Sequence, residues 1–463
     1  MEKENGHQHE SSEDKQGSVT TLSKAEKGFA RDQVERLSEL KNEPDWVLDR
    51  RMQAWEAWEK IPMPTQQDEE WRRTDISHID FEDYHPFALS NGEGQLSVSS
   101  LPDATRSLVD HPGSRGGWQF QYDSNVLMSE LSEELEKQGV IFLSIDEAIQ
   151  EHPELVKEYF FTRVMTPSYG KFAALNGAFW SGGSFLYVPR GVEVEVPIEA
   201  FVNVRTSELG IFQHNLIILE QSASAEFVEI SQSEEADANG LNCGITEIYL
   251  HQNARMNHVS IQNWGTQFYD FSNKRAYLER DAQLTWVVST FGGKLVKNHV
   301  DSVNAGEGAH SNALGLYFLD GSQHLDTGIL LKLNVPHTTA DSIFKGVLKE
   351  KSRSVFQGLI KIERDAQLSD AELENKNLLL SKGARADSIP VLEIEADDVQ
   401  AAHGATVGRV DEDQMYYLMS RGLNRAQAER VIISGFFENV IKHIRSQSTA
   451  DLIHRLVQQK IEK

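Results

Sequence analysis

The central part of the chain consists of short stretches in which apolar and polar residues alternate. Valines alternate with glutamates from Val192 to Val196, and glutamates again fall at every second position from Val391 to Ala396. A two-residue period is that of a pleated strand, whose successive side chains point to opposite faces. Similar runs, separated by turn residues, continue from about residue 172 to residue 407 without a long amphipathic helix. The pattern therefore predicts an all-β body.

A repeat of about 28 residues runs through this body. The segment Leu278–Leu284 recurs almost unchanged as Ile362–Leu368, 84 residues further on. Small residues that precede strands recur at spacings of 29, 28 and 27, at Ala225, Ala254, Ala282 and Ala309. A fixed period of this size, carried by short strands, is typical of a solenoid, in which closely stacked coils require small corner residues. We therefore predict a right-handed parallel β-helix.

Helical patterns flank the predicted solenoid at both ends. On the N-terminal side, one helix is expected over about 24–40, and a second is expected to be capped by Asp45. On the C-terminal side, Asn424 and Gln427 form a candidate capping box, and a further amphipathic helix begins near Ser448. These two C-terminal helices either cap the solenoid or present a surface to a partner.

The predicted protein is mainly β, with a parallel β-helix core between two helical domains. Residues 1–20 are expected to be a disordered lead-in and 21–171 an N-terminal helical or mixed domain. The β-helix core is assigned to 172–410 and the C-terminal helical domain to 411–463. Glycines recur within 85–138, which predicts only loops and short pieces of secondary structure in that region.

The charge balance excludes some classes of partner. The 463 residues include 71 acidic and 45 basic side chains, which gives a formal charge of −26. Nucleic acids and anionic membrane surfaces require clustered positive charge, so neither is expected to bind. No apolar run reaches the roughly 18 to 20 residues of a membrane-spanning helix, and the polar N-terminal segment lacks the core of a secretion signal. We therefore expect a cytoplasmic protein.

Cysteine and motif content limit the chemistry further. Cys243 is the single cysteine, which excludes an intramolecular disulfide and a four-cysteine metal site, and we interpret it as a small buried hydrophobe. The glycine cluster at Gly292–Leu295 is not a phosphate-binding loop, and HExxH, GxSxG and CxxC motifs are absent. The chain is therefore not expected to hydrolyse nucleotides by itself. A β-helix carbohydrate-active enzyme and a general β-solenoid interaction module remain open as alternatives.

His403 is the main candidate for chemistry, because it stands where the strand pattern gives way to helices. A neutral imidazole can ligate iron and can replace cysteine on a cluster iron. The competing interpretation is a histidine that is hydrogen-bonded at the end of the β-helix. His310, His324 and His337 fall in successive coils and suggest a ligand row, but their half-period spacing is equally consistent with alternate faces.

The segment around His403 also carries a family resemblance. It contains His-Gly-Ala-Thr-Val-Gly (403–408), Asp-Glu-Asp-Gln (411–414) and Ser-Arg-Gly-Leu (420–423). Together these segments resemble the C-terminal signature of the SufB/SufD family of iron–sulfur cluster assembly scaffolds, the SufD branch in particular, and the resemblance extends over about 45–445. Ala401 stands where some members of the SufD branch carry cysteine, and Gly404 stands where the SufB branch carries glutamate.

The resemblance implies a parallel β-helix and a scaffold subunit without catalytic activity. It places His403 at the contact with a homologous SufB-like scaffold, opposite a partner cysteine, where a nascent iron–sulfur cluster is assembled. It also implies that a SufC-like ABC ATPase, a separate chain, docks on the C-terminal helices, for which the candidate residues are Tyr416, Tyr417, Arg421, Phe436 and Phe437. No cofactor is expected to be stably bound by the chain alone. Flavin association, and a homodimer when the partner is absent, are left open.

Overall fold

The structure is a computed structural model and describes residues 22–90 and 115–462. It is 42% strand and 25% helix. The predicted disordered lead-in over 1–20 lies outside the described residues, as does part of the predicted loop region over 85–138.

The described chain contains nine α-helices and 24 strands. The helices are α1 (Arg31–Leu40), α2 (Asp45–Lys60), α3 (Glu133–Lys137), α4 (Ile145–Glu151), α5 (Pro153–Tyr159), α6 (Lys171–Phe179), α7 (Glu412–Ser420), α8 (Arg425–Ile441) and α9 (Gln447–Glu462). The strands are β1 (Leu22–Lys24), β2 (Ala88–Ser90), β3 (Gly117–Tyr122), β4 (Asn125–Leu131), β5 (Ile141–Ser144), β6 (Ser184–Val188), β7 (Ile198–Val204), β8 (Leu209–Ile211), β9 (His214–Leu219), β10 (Ser224–Ser233), β11 (Asn239–Asn242), β12 (Ile245–Leu250), β13 (Arg255–Asn263), β14 (Gln267–Asp270), β15 (Asn273–Leu278), β16 (Gln283–Thr290), β17 (Leu295–Asn304), β18 (His310–Leu319), β19 (His324–Leu333), β20 (Thr339–Leu348), β21 (Arg353–Ile362), β22 (Ser369–Leu379), β23 (Arg385–Ile394) and β24 (Val399–Arg409).

The strands form a parallel solenoid of about eight turns, as predicted. The chain alternates between two sheets, and each coil adds a strand to each sheet. Three short strands, β8, β11 and β14, form an additional ladder that joins sheet II through β17. Sheet I runs in the order β24-β22-β20-β18-β16-β13-β10-β7-β3-β4, and sheet II in the order β23-β21-β19-β17-β15-β12-β9-β6-β5. Only the first coil departs from parallel pairing, because β3 pairs with β4, and β5 with β6, in antiparallel fashion.

The predicted period corresponds to one coil. From β6 onward, residues in register on neighbouring coils are separated by as few as 26 positions, from Asn273 to His299, and by as many as 32, from Gln357 to Ile389. Leu278 and Ile362, which begin the two copies of the repeated segment, lie at the same corner three coils apart.

The prediction placed one of the four corner residues two positions too far along the chain. Three of the four are corners that follow a residue with positive φ and are fully buried: Ala254, Ala282 and Ala309. In the preceding coil the equivalent residue is Ala223, which follows Ser222 with φ of 61°. Ala225 instead lies within β10, in register with Met256. The sequence spacing alone could not separate the two alanines, because the coils differ in length.

Three apolar layers hold the molecule together. The first lies between the two sheets and includes Phe227, Trp286 and Leu373. The second joins the outer face of sheet II to the N-terminal helices. The third joins the outer face of sheet I to the C-terminal helices. Both outer faces are therefore partly covered by helices, which explains why the central strands are buried on both sides.

The N-terminal helices begin at other residues than expected. The helix predicted over 24–40 begins only at Arg31, since Leu22–Lys24 form β1 and pair with β2. In the next helix Asp45 is the first helical residue, and the N-cap is Pro44 rather than Asp45. The helix α6 is buried against sheet II from Phe172 to Phe179, where a strand-only body was expected to begin.

The C-terminal helices lie on the flank of the solenoid. Ile433 and Phe437 of α8 pack on the outer face of sheet I, as does Ile453 of α9. The carboxylate of Glu226 accepts hydrogen bonds from the backbone N–H groups of Arg445 and Ser446 at 3.3 and 3.2 Å, which fixes the α8–α9 turn. The alternative in which these helices cap the solenoid is therefore wrong, and within 22–90 and 115–462 no further strand pairs with its last coil.

Candidate functional site

The last coil of the solenoid has unpaired strand edges. Among the described strands, β23 pairs only with β21 and β24 only with β22. We call these two strands the open end. Their outer edges carry backbone N–H and C=O groups with no partner strand, and such edges favour pairing with another chain.

His403 points toward the interior side of the open end. Its register partner on β22 is Leu373, which is completely buried in the layer between the two sheets. His403 is nevertheless exposed, because no further coil covers it. Apart from Arg409 at the end of β24, the other inward positions of the coil carry no ionisable group: Ala386, Ser388, Pro390, Leu392, Ile394, Val399, Ala401, Ala405 and Val407. Two apolar inward positions, Ala405 and Val407, separate His403 from Arg409 along the strand.

The two-residue period also places the positions that flank His403. Ala401 lies on the same inward face, about 7 Å along the strand, so a cysteine there would stand beside the imidazole. Gly404 and Gly408 lie on the opposite, outward face, and a Cβ at either would meet only open space. A glutamate at position 404 would therefore face away from His403.

Exposed apolar side chains surround the open end. Val391 is 41% exposed, Ile394 is 42% exposed and Val407 is 46% exposed. Large apolar residues that are left uncovered at a sheet edge are typical of a surface that another protein covers.

The helix α7 is a second exposed surface, directly after β24. Tyr416 is 76% exposed and Tyr417 57%, whereas Met415 is the one residue of this helix that is buried. Arg421 donates a hydrogen bond to the Tyr417 hydroxyl at 3.3 Å and lies over its ring. The structure therefore brings together these three of the five residues predicted to contact an ATPase.

The remaining two predicted contact residues face the body of the protein. Phe437 is completely buried in the layer between α8 and sheet I. Phe436 is partly buried beneath Lys345, whose ammonium donates to the Phe436 carbonyl at 2.7 Å. Burial lowers the pKa of Lys345, as does the neighbouring Lys376. Phe437 therefore holds α8 in place and offers no side-chain surface to a partner.

The interior of the solenoid contains polar groups that the sequence reasoning missed. The Glu229 carboxylate is buried and pairs with Lys274 at 2.7 Å. Burial opposes ionisation of this carboxylate, but Lys274 and His258 lower its pKa overall. Burial, with a contribution from Lys274, lowers the pKa of His258 to about 3. A cavity of about 30 Å³ lies beside them, room for one or two waters. In the sequence, these buried groups could have been recognised as polar residues at the inward positions of predicted strands.

The other candidate residues are not brought together. His310 lies on sheet I, His324 on sheet II and His337 in a turn, so they form no row. In the described ranges, no three His, Cys, Asp or Glu side chains are grouped closely enough to hold a metal ion. Cys243 is 1% exposed, and burial, together with Asp270, raises its thiol pKa. This confirms its interpretation as a buried residue.

None of the helices in the described part of the chain combines the length and the apolar character needed to cross a membrane.

Two family models together match most of the sequence. The model described as "SUF system FeS cluster assembly, SufBD core domain" matches residues 201–436, and the "SufBD protein N-terminal region" matches 32–200. An iron–sulfur cluster assembly SufBD family protein of Staphylococcus haemolyticus is 31% identical over 449 residues, which cover 96% of this chain and 95% of the relative. A protein of the same description from Staphylococcus aureus strain USA300 is 30% identical with the same coverage.

Proposed function

The chain belongs to the SufBD family of iron–sulfur cluster assembly proteins, and we propose that it is a SufD-like, non-catalytic scaffold subunit of a SUF-type assembly complex. The observation that carries this proposal is the open end, where two unpaired strand edges frame His403. Family membership leaves the alternative of a carbohydrate-active enzyme without support. The proposed location is the cytoplasm.

We propose that the open end pairs with a homologous, SufB-like scaffold. The strands β23 and β24 span 10 and 11 residues, long enough for each to pair with a strand of a second solenoid. Strand addition would satisfy their free backbone groups and cover the exposed Val391, Ile394 and Val407. In the absence of that partner, the same edges would favour a homodimer.

His403 is proposed to act at this contact during assembly of the nascent cluster, which is the cargo of the complex. Its imidazole can bind iron through a neutral ring nitrogen. Cluster assembly also needs sulfur ligands, and the single thiol of this chain, Cys243, is buried away from the open end. The sulfur ligands are therefore proposed to come from the partner scaffold, and no cofactor is proposed to stay bound to this chain alone.

The helix α7 is proposed to dock a SufC-like ABC ATPase, a separate chain, through Tyr416, Tyr417 and Arg421. Exposed tyrosines and arginine are the residue types that contribute most to protein contacts. Because β24 continues directly into α7, docking there would act on the strand that carries His403.

The proposal is tested by co-expressing the chain with a SufB-like scaffold and a SufC-like ATPase from the same source. We expect His403→Ala to leave the subunits together and to lower the iron and sulfide bound to the complex. The matched control is His454→Ala, since His454 is exposed on α9, away from the open end. Full iron and sulfide in the His403 variant would make this histidine structural, and failure to form any complex would refute the proposed partners.

The pairing surface is tested separately by placing charge on the open end. Val407→Lys buries an unpaired charge if β24 is covered by a partner strand, so the variant should no longer co-purify with the SufB-like scaffold. Leu40→Lys is the control, because Leu40 is 52% exposed and lies at the end of α1, one of the N-terminal helices. Unchanged co-purification of the Val407 variant would exclude the open end as the contact.

A further inference from the structure

A cavity lies beneath α7, between this helix and the ends of β22 and β24. Its volume is about 250 Å³. Four apolar residues line it, and we call them its floor: Leu379 at the end of β22, Leu380 and Val410 directly after the two strands, and Met415, the buried residue of the helix. The cavity adjoins α7, because Glu412 and Met415 of this helix are among its lining residues.

Two cations stand at the rim of this cavity on the solenoid side. Lys382 follows β22, and Arg409 ends β24, where it is in register with Leu379. Both side chains are exposed, and among the described residues neither forms an ion pair or a hydrogen bond. On the helix side, Arg425 is already neutralised by Glu412 at 2.7 Å.

These cations belong to a protein that is acidic overall. The chain carries a formal charge of −26, so its net charge repels an acidic partner at long range. At this rim, three cations stand against two carboxylates, those of Glu412 and Glu429. An unpaired lysine and arginine over an apolar floor form a local site for a carboxylate that is followed or preceded by an apolar side chain.

Because the cavity adjoins the proposed ATPase-docking helix, we propose that it receives an acidic segment of the docked partner, with a carboxylate on Lys382 and Arg409 and an apolar side chain on the floor. This inference rests on the proposed function of α7. Charged rims chiefly accelerate association and make it dependent on salt, whereas buried aromatic contacts slow dissociation. Removing the rim cations should therefore slow association in a salt-dependent way, whereas removing the tyrosines should speed dissociation.

The test measures binding of the purified SufC-like ATPase to the full-length chain, from about 50 mM to about 500 mM salt. The double variant Lys382→Gln/Arg409→Gln should weaken binding about tenfold at low salt, mostly through slower association, and the difference should shrink as salt rises. Arg36→Gln on α1 controls for the loss of an exposed cation. The pair Tyr416→Ala/Tyr417→Ala should weaken binding at every salt concentration.

The outcomes separate this inference from the proposed function. If the tyrosine variant loses affinity and the cation variant does not, the cavity takes no acidic segment and only the docking helix stands. If neither variant affects binding, both ideas fail. A cation variant that changes self-association of the chain, and leaves ATPase binding intact, would also overturn the inference, because the occupant would then be a second copy.

Discussion

Replacing Asp301 with asparagine should remove a pH-dependent cost that the native fold carries. Asp301 lies on β17 at the contact between sheet II and the N-terminal domain, where it is 2% exposed. Its carboxylate accepts a hydrogen bond from the Tyr169 hydroxyl at 2.6 Å, and Arg275 stands 3.8 Å away. Burial outweighs both partners and raises the pKa of Asp301 from 3.8 to about 6.

The direction and size of the effect follow from this pKa. Between about pH 4 and about pH 6 the folded protein holds a proton on Asp301 that the unfolded chain has released, so stability falls as pH rises. Each tenfold change in proton affinity is worth about 1.4 kcal/mol, which makes the full cost about 3 kcal/mol above about pH 6. Asparagine does not ionise and can still accept from Tyr169. Between about pH 4 and about pH 7, the free energy of unfolding of Asp301→Asn should therefore rise by about 3 kcal/mol relative to that of the native protein.

The assay measures the free energy of unfolding in urea for the native protein and for Asp301→Asn at several pH values. The prediction concerns how the difference between the two free energies changes with pH. Asp32→Asn on the exposed face of α1 controls for the change in net charge. Tyr169→Phe provides an independent check, because loss of this donor should raise the pKa of Asp301 and move the pH dependence upward. A difference between the native protein and Asp301→Asn that stays constant from about pH 4 to about pH 7 would refute the reasoning.

Two further predictions concern the contacts that hold helices on the solenoid. Phe437→Ala should destabilise the attachment of α8 by about 3–5 kcal/mol, since a fully buried ring is removed. Hydrogen exchange of the backbone amides of α8 measures this loss, with Val431→Ala as the control. Equal protection of these amides in the two variants would contradict the prediction. Glu247→Gln should cost about 1.5–3 kcal/mol, because its buried carboxylate accepts from the backbone N–H groups of Phe161 and Met165 at 2.7 and 3.1 Å. Faster proteolysis of the loop between α5 and α6 is the expected readout, and an unchanged cleavage rate would argue against this role.

The placement of Phe437 illustrates a general limit of sequence patterns. Helical periodicity identified α8 and its capping box, with Asn424 and Gln427 in the expected geometry. It did not identify which side of the helix is buried, because apolar residues occur on more than one face. Val431 is 49% exposed, whereas Ile433, two positions further along the same helix, is completely buried. The buried side depends on the crossing of α8 over sheet I, which the sequence of the helix does not contain.

The sequence by itself determined the solenoid and the position of its last coil. The two-residue period and the repeat near 28 residues are properties of local strand geometry and of coil stacking, and both can be read from one chain. For the same reason, the alternation along β24 places His403 on the inward face and Gly404 on the outward face.

Only the tertiary structure decided what covers each face and what remains free. The N-terminal helices lie on sheet II, the C-terminal helices lie on sheet I, and among the described strands none pairs with the outer edges of β23 and β24. The pairing of Glu229 with Lys274 likewise joins residues 45 positions apart in neighbouring coils. These features depend on contacts between elements that are distant in sequence, whose free energies arise from shape and burial rather than from any local pattern.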